Sequence, residues 1–364
     1  MTGIALLGAG IFAREEHLPA IQAIPSLTLK AIYSRSEKSA SLLALSASSA
    51  VDIYYDVPAA SASASAGGQG EDRSLDALLK RDDIAAVVVC LPILTQPAVI
   101  RKALEAGKHV LSEKPVAKDV ATARELMDWY NTMTSTTLTK PVWAVAENFR
   151  FWPAIVHAVD KIREVGGKLV TFNLDMFTLV KDDSQYYNTA WRKTPEYQGG
   201  FLLDGGVHFI AALRSMLAAA EGEEVTQLTA RSALLQPRLP PVDTVYGVLT
   251  TRGGVSGTAS ISFGIEFKAG LQCQVVTTEG SVTMTSSEVT VVRRGGGDGG
   301  AQVVEKTQFG RDSGVKAETE AFAASIARGG VDARQTPLEA LKDLQILEGL
   351  LESGAAGGAV KAIQ

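Results

Sequence analysis

Ile4-Ala5-Leu6-Leu7-Gly8-Ala9-Gly10-Ile11-Phe12-Ala13 decides the fold. Four apolar residues read as a buried strand, and the chain passes directly into Gly-x-Gly-x-x-Ala and a helical pattern over 11–24. Gly8 permits the tight turn, and Gly10 lets backbone approach a pyrophosphate. Ala13 lets the helix pack close to the strand, its N-terminus facing the phosphates. The motif alone is a weak signal, because any glycine-rich turn can show it. Its place at the end of a first strand, opening a helix inside a βαβ unit, makes it a dinucleotide loop, with Ile11 and Phe12 among its contacts.

The same rhythm continues outward. Apolar runs over 4–7, 29–33, 84–91, 109–112 and 142–146 read as strands, separated by helical patterns over 37–45, 75–80, 96–106 and 120–130. Continuously apolar strands between amphipathic helices require a parallel sheet covered on both faces. Residues 1–147 are therefore expected to form an α/β Rossmann domain. The run Pro58–Gly70 is rich in Ser, Ala and Gly and reads as a flexible surface insertion. After Asn148 the pattern changes. A helix over 153–165 and a long strand over 169–179 precede a loop rich in Asp, Tyr and Trp, then a second helix near Gly205. Closely spaced strands follow over 225–234, 244–251, 255–263, 271–277, 281–285 and 289–293, with a turn at Arg252-Gly253-Gly254 and a glycine-rich tip at Gly295–Gly300. Helices over 315–328 and 337–351 close the chain. Residues 148–364 are expected to form an α+β domain with an open, largely antiparallel sheet.

Composition removes other classes. With 364 residues, two domains are the natural division. Thirty-five Lys+Arg against 40 Asp+Glu leave −5, which gives no electrostatic footprint for nucleic acid or an anionic membrane. No apolar run is read as membrane-spanning. The two cysteines, Cys90 and Cys273, sit in strand-like runs, arguing against a disulfide scaffold and for a reducing, cytoplasmic setting. The four histidines lack paired ligand spacing, so no metal site is expected.

The end of the second strand decides the dinucleotide. A carboxylate there would accept from the ribose hydroxyls and repel a 2′-phosphate. The chain instead has Tyr33-Ser34-Arg35-Ser36 with Lys38 beyond, hydroxyl and basic groups suited to that phosphate. NADP(H) is expected, although a solvated Arg at a strand end is common.

Three stretches carry a family resemblance. Ala106-Gly107-Lys108-His109-Val110-Leu111-Ser112-Glu113-Lys114-Pro115 looks like the signature of the Gfo/Idh/MocA oxidoreductases. Val145-Ala146-Glu147-Asn148-Phe149-Arg150-Phe151 resembles that family's interdomain segment. Trp191-Arg192 with Gly199-Gly200-Phe201-Leu202-Leu203-Asp204-Gly205-Gly206-Val207-His208 resembles its catalytic stretch. The look is nearest to fungal NADP-dependent members. The resemblance implies that Lys114, Asp204 and His208 act together in catalysis, and that Trp191 and Arg192 serve the cofactor. It further implies cofactor contacts at Leu91, Pro92, Gln96, Glu113, Lys114 and Asn148, and a homodimer formed through the open sheet face.

The residues also make chemical sense by themselves. Lys114 follows the carboxyl end of a parallel strand, where open α/β sheets bind ligands, and Pro115 restrains it to extended geometry. An ammonium there can polarise a carbonyl or relay a proton; the alternative is a surface lysine. Asp204 and His208, four apart at a helix start, share a face, so the carboxylate could fix the imidazole tautomer. Asp204 could instead be an N-cap, and His208 could merely pack. The indole of Trp191 could pack on nicotinamide and the Arg192 guanidinium pair with phosphate, or the two could simply anchor the second domain.

There are departures from the family pattern. Where the family often carries Thr-Pro-x-x-x-His, this chain has Leu91-Pro92-Ile93-Leu94-Thr95-Gln96, and Gln96 can bond a cofactor but cannot titrate. Ala211 stands where an aspartate is common, and Phe201 replaces a third glycine. The expected function is NADP(H)-dependent hydride transfer to or from a small carbonyl or hydroxyl substrate, a sugar or sugar derivative. The competing expectation is a non-catalytic NADP-sensing regulatory protein of the same fold. Presence of Lys114, Asp204 and His208 favours the enzyme.

Overall fold

In the computed structural model the described residues are 1–56, 72–136, 140–295 and 301–363. The Pro58–Gly70 run, and the Gly295–Gly300 tip beyond Gly295, lie outside them. The chain forms two compact units. One comprises Met1–Ala117, Ala121–Ala146 and Val315–Glu339; the other Lys118–Val120, Glu147–Gly314 and Ala340–Gln364. Residues 315–339 thus group with the first unit, whereas the boundary drawn from sequence put them in the second.

The first unit holds a six-stranded sheet ordered β3-β2-β1-β4-β5-β6 among the described residues. Its strands are β1 (Thr2–Leu7), β2 (Leu27–Ser34), β3 (Asp52–Tyr55), β4 (Ala86–Val89), β5 (His109–Glu113) and β6 (Trp143–Ala146). Every adjacent pair is parallel. The order reverses between β1 and β4, where the loops leaving both strands diverge, and such switch points bind ligands in doubly wound sheets. Helices α1 (Leu18–Ala23), α2 (Glu37–Ala44), α3 (Leu75–Leu79), α4 (Gln96–Glu105) and α5 (Val120–Thr136) connect the strands. Ile4, Leu6, Ile32, Val88 and Leu111 form the core with Ile21 and Phe322, the last from α9 (Val315–Arg328).

Three local readings change. The first helix is interrupted by a π-helical turn over Ala13–His17, which places one extra residue in the turn after the glycines. The run 84–91 yields only the four-residue β4, because Cys90 onward already belongs to the binding-edge loop. Edge strand β3 was not anticipated, being four residues with two tyrosines and no apolar run.

The second unit is built on a nine-stranded sheet ordered β14-β13-β12-β11-β7-β10-β9-β8-β15 among the described residues. These are β7 (Leu169–Phe177), β8 (Val225–Ala233), β9 (Thr244–Thr251), β10 (Ser256–Ser262), β11 (Gly270–Thr277), β12 (Gly280–Thr285), β13 (Glu288–Arg294), β14 (Gln302–Gln308) and β15 (Lys361–Ala362). Only β7 and β10 pair in parallel; the remaining pairs are antiparallel. The expected turn at Arg252–Gly254 joins β9 to β10. Helices α6 (Pro153–Val165), α7 (Ala190–Lys193), α8 (Gly200–Ala219) and α10 (Pro337–Ala355, from Ala340 in this unit) accompany the sheet.

Helix α8 corrects two expectations. It begins at Gly200 after the N-cap Gly199, not near Gly205, so Asp204 lies inside the helix and is not its N-cap. Gly205 is there for packing: a Cβ on it would stand 2.7 Å from the Phe263 ring. The helix is also long and apolar enough to cross a membrane by length and composition, contrary to the sequence reading. Seventy-two per cent of its apolar window is buried inside the protein, where it forms the core of the unit.

Candidate active site

In the first unit the β1 turn has the geometry a phosphate loop needs. Gly8 has φ +121°, and a Cβ there would lie 2.0 Å from the Cys90 carbonyl oxygen, so backbones meet where β1 and β4 diverge. A Cβ on Gly10 would meet nothing within 4 Å, leaving open space against the backbone. Open space at Gly10 and close approach at Gly8 fit a dinucleotide pyrophosphate. Ser34 ends β2, half-buried, and Arg35 and Lys38 are exposed beyond it. The fold also brings Asp56, after β3, to this edge. Tyr33 donates from its hydroxyl to Asp56 Oδ1 at 2.6 Å, and burial, then this bond, raises the phenol.

Leu91 and Pro92 form the loop after β4, half-buried, and Gln96 opens α4. Gln96 is buried and its Oε1 has no hydrogen-bond partner among the described residues. Glu113 ends β5, buried, and its Oε2 accepts the backbone N–H of Lys114 at 3.2 Å. The Lys114–Pro115 bond is cis. Glu113 Oε1 bonds His17 Nε2 at 2.6 Å. Spacing had suggested no metal cluster, yet folding brings donor atoms of His17, Cys90 and Glu113 within 4.8 Å of one another.

In the second unit His208 lies two turns into α8. Its Nδ1 donates to Glu147 Oε1 at 2.6 Å, and Phe149 stacks on the ring at 4.6 Å with planes 16° apart. Glu147 is 1% exposed and caps the 3₁₀ turn Asn148–Phe151, its Oε1 also accepting the Phe149 N–H at 3.2 Å. Asp204 accepts from Arg192 Nε at 2.7 Å. The Arg192 guanidinium lies 4.0 Å over the Trp191 ring, so Trp191, Arg192 and Asp204 form one stacked ion pair. Tyr197 is buried beside them. Its hydroxyl has no hydrogen-bond partner among the described residues, and burial, then the Asp204 charge, pushes it up. Asn148 donates through Nδ2 to the Ser313 carbonyl at 2.6 Å.

Behind Glu147 lies a buried ion cluster. Arg150 reaches both oxygens of Asp343 at 2.7 Å, and Arg214 reaches Oδ1 at 2.6 Å. Burial raises the Asp343 carboxyl, while the two arginines pull it down.

The profile described as the oxidoreductase family NAD-binding Rossmann fold matches residues 2–137, and that of its C-terminal alpha/beta domain matches 162–362. The chain belongs to the Gfo/Idh/MocA oxidoreductase family. Within that family it is 49% identical over 364 residues to the dehydrogenase FPY6 of Fusarium mangiferae, covering 100% of this chain and 99% of that protein. It is 28% identical over 294 residues to the dTDP-3,4-didehydro-2,6-dideoxy-alpha-D-glucose 3-reductase of Streptomyces violaceoruber, 77% of this chain and 72% of that one. An oxidoreductase crystal structure from Thermotoga maritima matches with TM-score 0.81 and 26% identity, covering 100% of this chain and 98% of that chain.

In this Gfo/Idh/MocA chain the four-residue spacing of Asp204 and His208 suggested a dyad. His208 Nδ1 donates instead to Glu147, and Asp204 accepts from Arg192. Glu147 was missed as a site residue although its segment was quoted, because no spacing rule links position 147 to position 208.

Proposed function

We propose that this protein is an NADP(H)-dependent oxidoreductase acting on a small carbonyl or hydroxyl compound, a sugar or sugar derivative. The observation that carries the reading is the His208 imidazole. Its Nδ1 is fixed, its side chain is 16% exposed, and Nε2 has no protein hydrogen bond among the described residues. That is the arrangement of a general acid or base awaiting a ligand. The sugar class is supported by the name of the Streptomyces relative.

Gly8, Gly10, Ile11 and Phe12 would hold the pyrophosphate, and Ser34, Arg35 and Lys38 the 2′-phosphate. When bound, the dinucleotide supplies a hydride to a carbonyl carbon or takes one from a carbinol carbon. His208 gives the carbonyl oxygen a proton in reduction and takes it back in oxidation, and the family resemblance assigns Lys114 a charge-stabilising role. The sheet face bearing Tyr246 and Val248, each more than 40% exposed on β9, supports a homodimer in which a second copy covers it. Two free cysteines support a reducing, cytoplasmic setting.

The test is a nicotinamide-absorbance screen. NADPH is offered with aldehydes, ketoses and anhydrosugars, and NADP⁺ with aldoses and polyols, against wild type and His208→Ala. Turnover that falls about a hundredfold or more in the variant supports the reading. NADPH binding without turnover on any compound favours the sensor. Arg35→Asp is expected to shift preference about tenfold or more toward NAD(H); unchanged preference removes the 2′-phosphate assignment.

A further inference from the structure

We propose that Glu147 is the positioning residue of the acid–base group, the carboxylate that selects the tautomer of His208, and that Asp204 serves the Trp191–Arg192 stack instead. The inference rests on the oxidoreductase reading and deepens it.

A carboxylate has no proton to give, so the 2.6 Å contact from Nδ1 to Glu147 Oε1 places the ring proton on Nδ1. The neutral imidazole then has its lone pair on Nε2, the nitrogen without a protein partner. Proton exchange with a ligand can therefore occur only there. Three further constraints hold the arrangement. Glu147 itself cannot swing, because the same Oε1 accepts the Phe149 N–H on a short 3₁₀ turn and the side chain is 1% exposed. Phe149 covers one face of the ring in a near-parallel stack that holds its plane, and flipping the ring within that plane would break the Nδ1–Glu147 bond. His208 lies inside α8, where the backbone is fixed. A group whose two ring nitrogens are sorted in this way is pre-organised for proton transfer at one of them.

Glu147 faces the ring, and beyond it stand Asp343, Arg150 and Arg214; one turn earlier on α8 stands Asp204, joined to Arg192. Arg150 and Arg214 pair with Asp343, and Arg192 pairs with Asp204. When His208 takes a proton, Glu147 is the carboxylate hydrogen-bonded to it, which is how a buried acid stabilises an imidazolium.

Two readouts test this, one of them independent of turnover. ¹⁵N-histidine-labelled protein has four histidines, and comparison with His208→Gln assigns His208. The expected wild-type signal is a proton on Nδ1, with the Nε2–H tautomer emerging in Glu147→Gln, because the amide can donate to Nδ1. In turnover, Glu147→Gln is expected to lower kcat about a hundredfold or more while KM and NADPH affinity stay within about threefold. Asp204→Asn is expected to leave the tautomer unchanged. A wild-type proton on Nε2, or a Glu147→Gln variant with kcat near wild type, overturns the proposal. If no carbonyl compound turns over but the tautomer switches, the positioning stands and the oxidoreductase reading falls. If turnover is robust and Glu147→Gln is neutral, the reverse holds.

Discussion

His17 and Glu113, 96 positions apart in the sequence, meet in a 2.6 Å hydrogen bond between Nε2 and Oε1, with the imidazole fully buried. His17 closes the π turn after the glycine loop, and Glu113 ends β5 and takes the Lys114 backbone N–H on its other oxygen. The pair therefore ties the turn after β1 to the loop that presents Lys114. Phe12 packs edge-on against the same imidazole at 5.3 Å, adding a second link to the glycine loop.

His17→Ala removes one partner of a buried carboxylate and leaves a cavity. The expected loss is about 3 kcal/mol, read as a lower urea midpoint with unchanged slope. A variant as stable as wild type would show that the bond does not hold the loop.

The two glycines of the loop should separate folding from binding. Gly8→Ala puts a methyl against the Cys90 carbonyl at a φ that L-residues avoid, so a loss of about 3 kcal/mol or failure to fold is expected. Gly10→Ala meets no atom, so its melting temperature should match wild type while NADPH binding weakens about tenfold or more. Isothermal titration beside thermal melts reads both; intact binding in Gly10→Ala would move the pyrophosphate elsewhere.

Asp343 is shared by Arg150 and Arg214 inside the second unit. Replacing it with alanine removes the carboxylate from two largely buried guanidiniums, and about 3–5 kcal/mol should be lost in denaturant titrations. A loss below about 1 kcal/mol would mean that the charges are relieved by water.

Cys273 is fully buried, and burial pushes its thiol from 9.0 up to about 12. In the unfolded chain the thiol ionises near 9 while in the fold it keeps its proton. Stability should therefore fall as pH rises above 9, the decline ending near 12. Cys273→Ala loses packing but lacks this slope. The gap between the two proteins should narrow by up to about 1.4 kcal/mol per pH step in that window. A constant gap from pH 8 to pH 11 would refute it.

Much of the architecture was legible because it rests on local chemistry. Apolar runs such as Ile4–Leu7 and Val142–Ala146 can only be buried, and the glycines after the first run dictate the turn. Alternation over Thr244–Ser262 marks strands with one covered face. What escaped was set by neighbours distant in sequence. The strand Asp52–Tyr55 exists because Tyr33 and Ser34 offer it a parallel partner, which its composition does not announce. Gly205 and Gly206 looked like a helix start; both lie inside α8, and Gly205 is a glycine there because the Phe263 ring needs the space.

The candidate site divides along the same line. From sequence alone came the glycine turn after β1, the basic end of β2, and the choice of Lys114, Asp204 and His208 as candidate groups. Tertiary structure decided who partners whom. Four-residue helical spacing puts Asp204 and His208 on one face, but it cannot show that Arg192 already occupies Asp204 or that Glu147, 61 positions before His208, reaches Nδ1 first. Periodicity reports which side of an element is buried. A hydrogen bond depends on positions known to a few tenths of an ångström, and only the packing of the chain sets those.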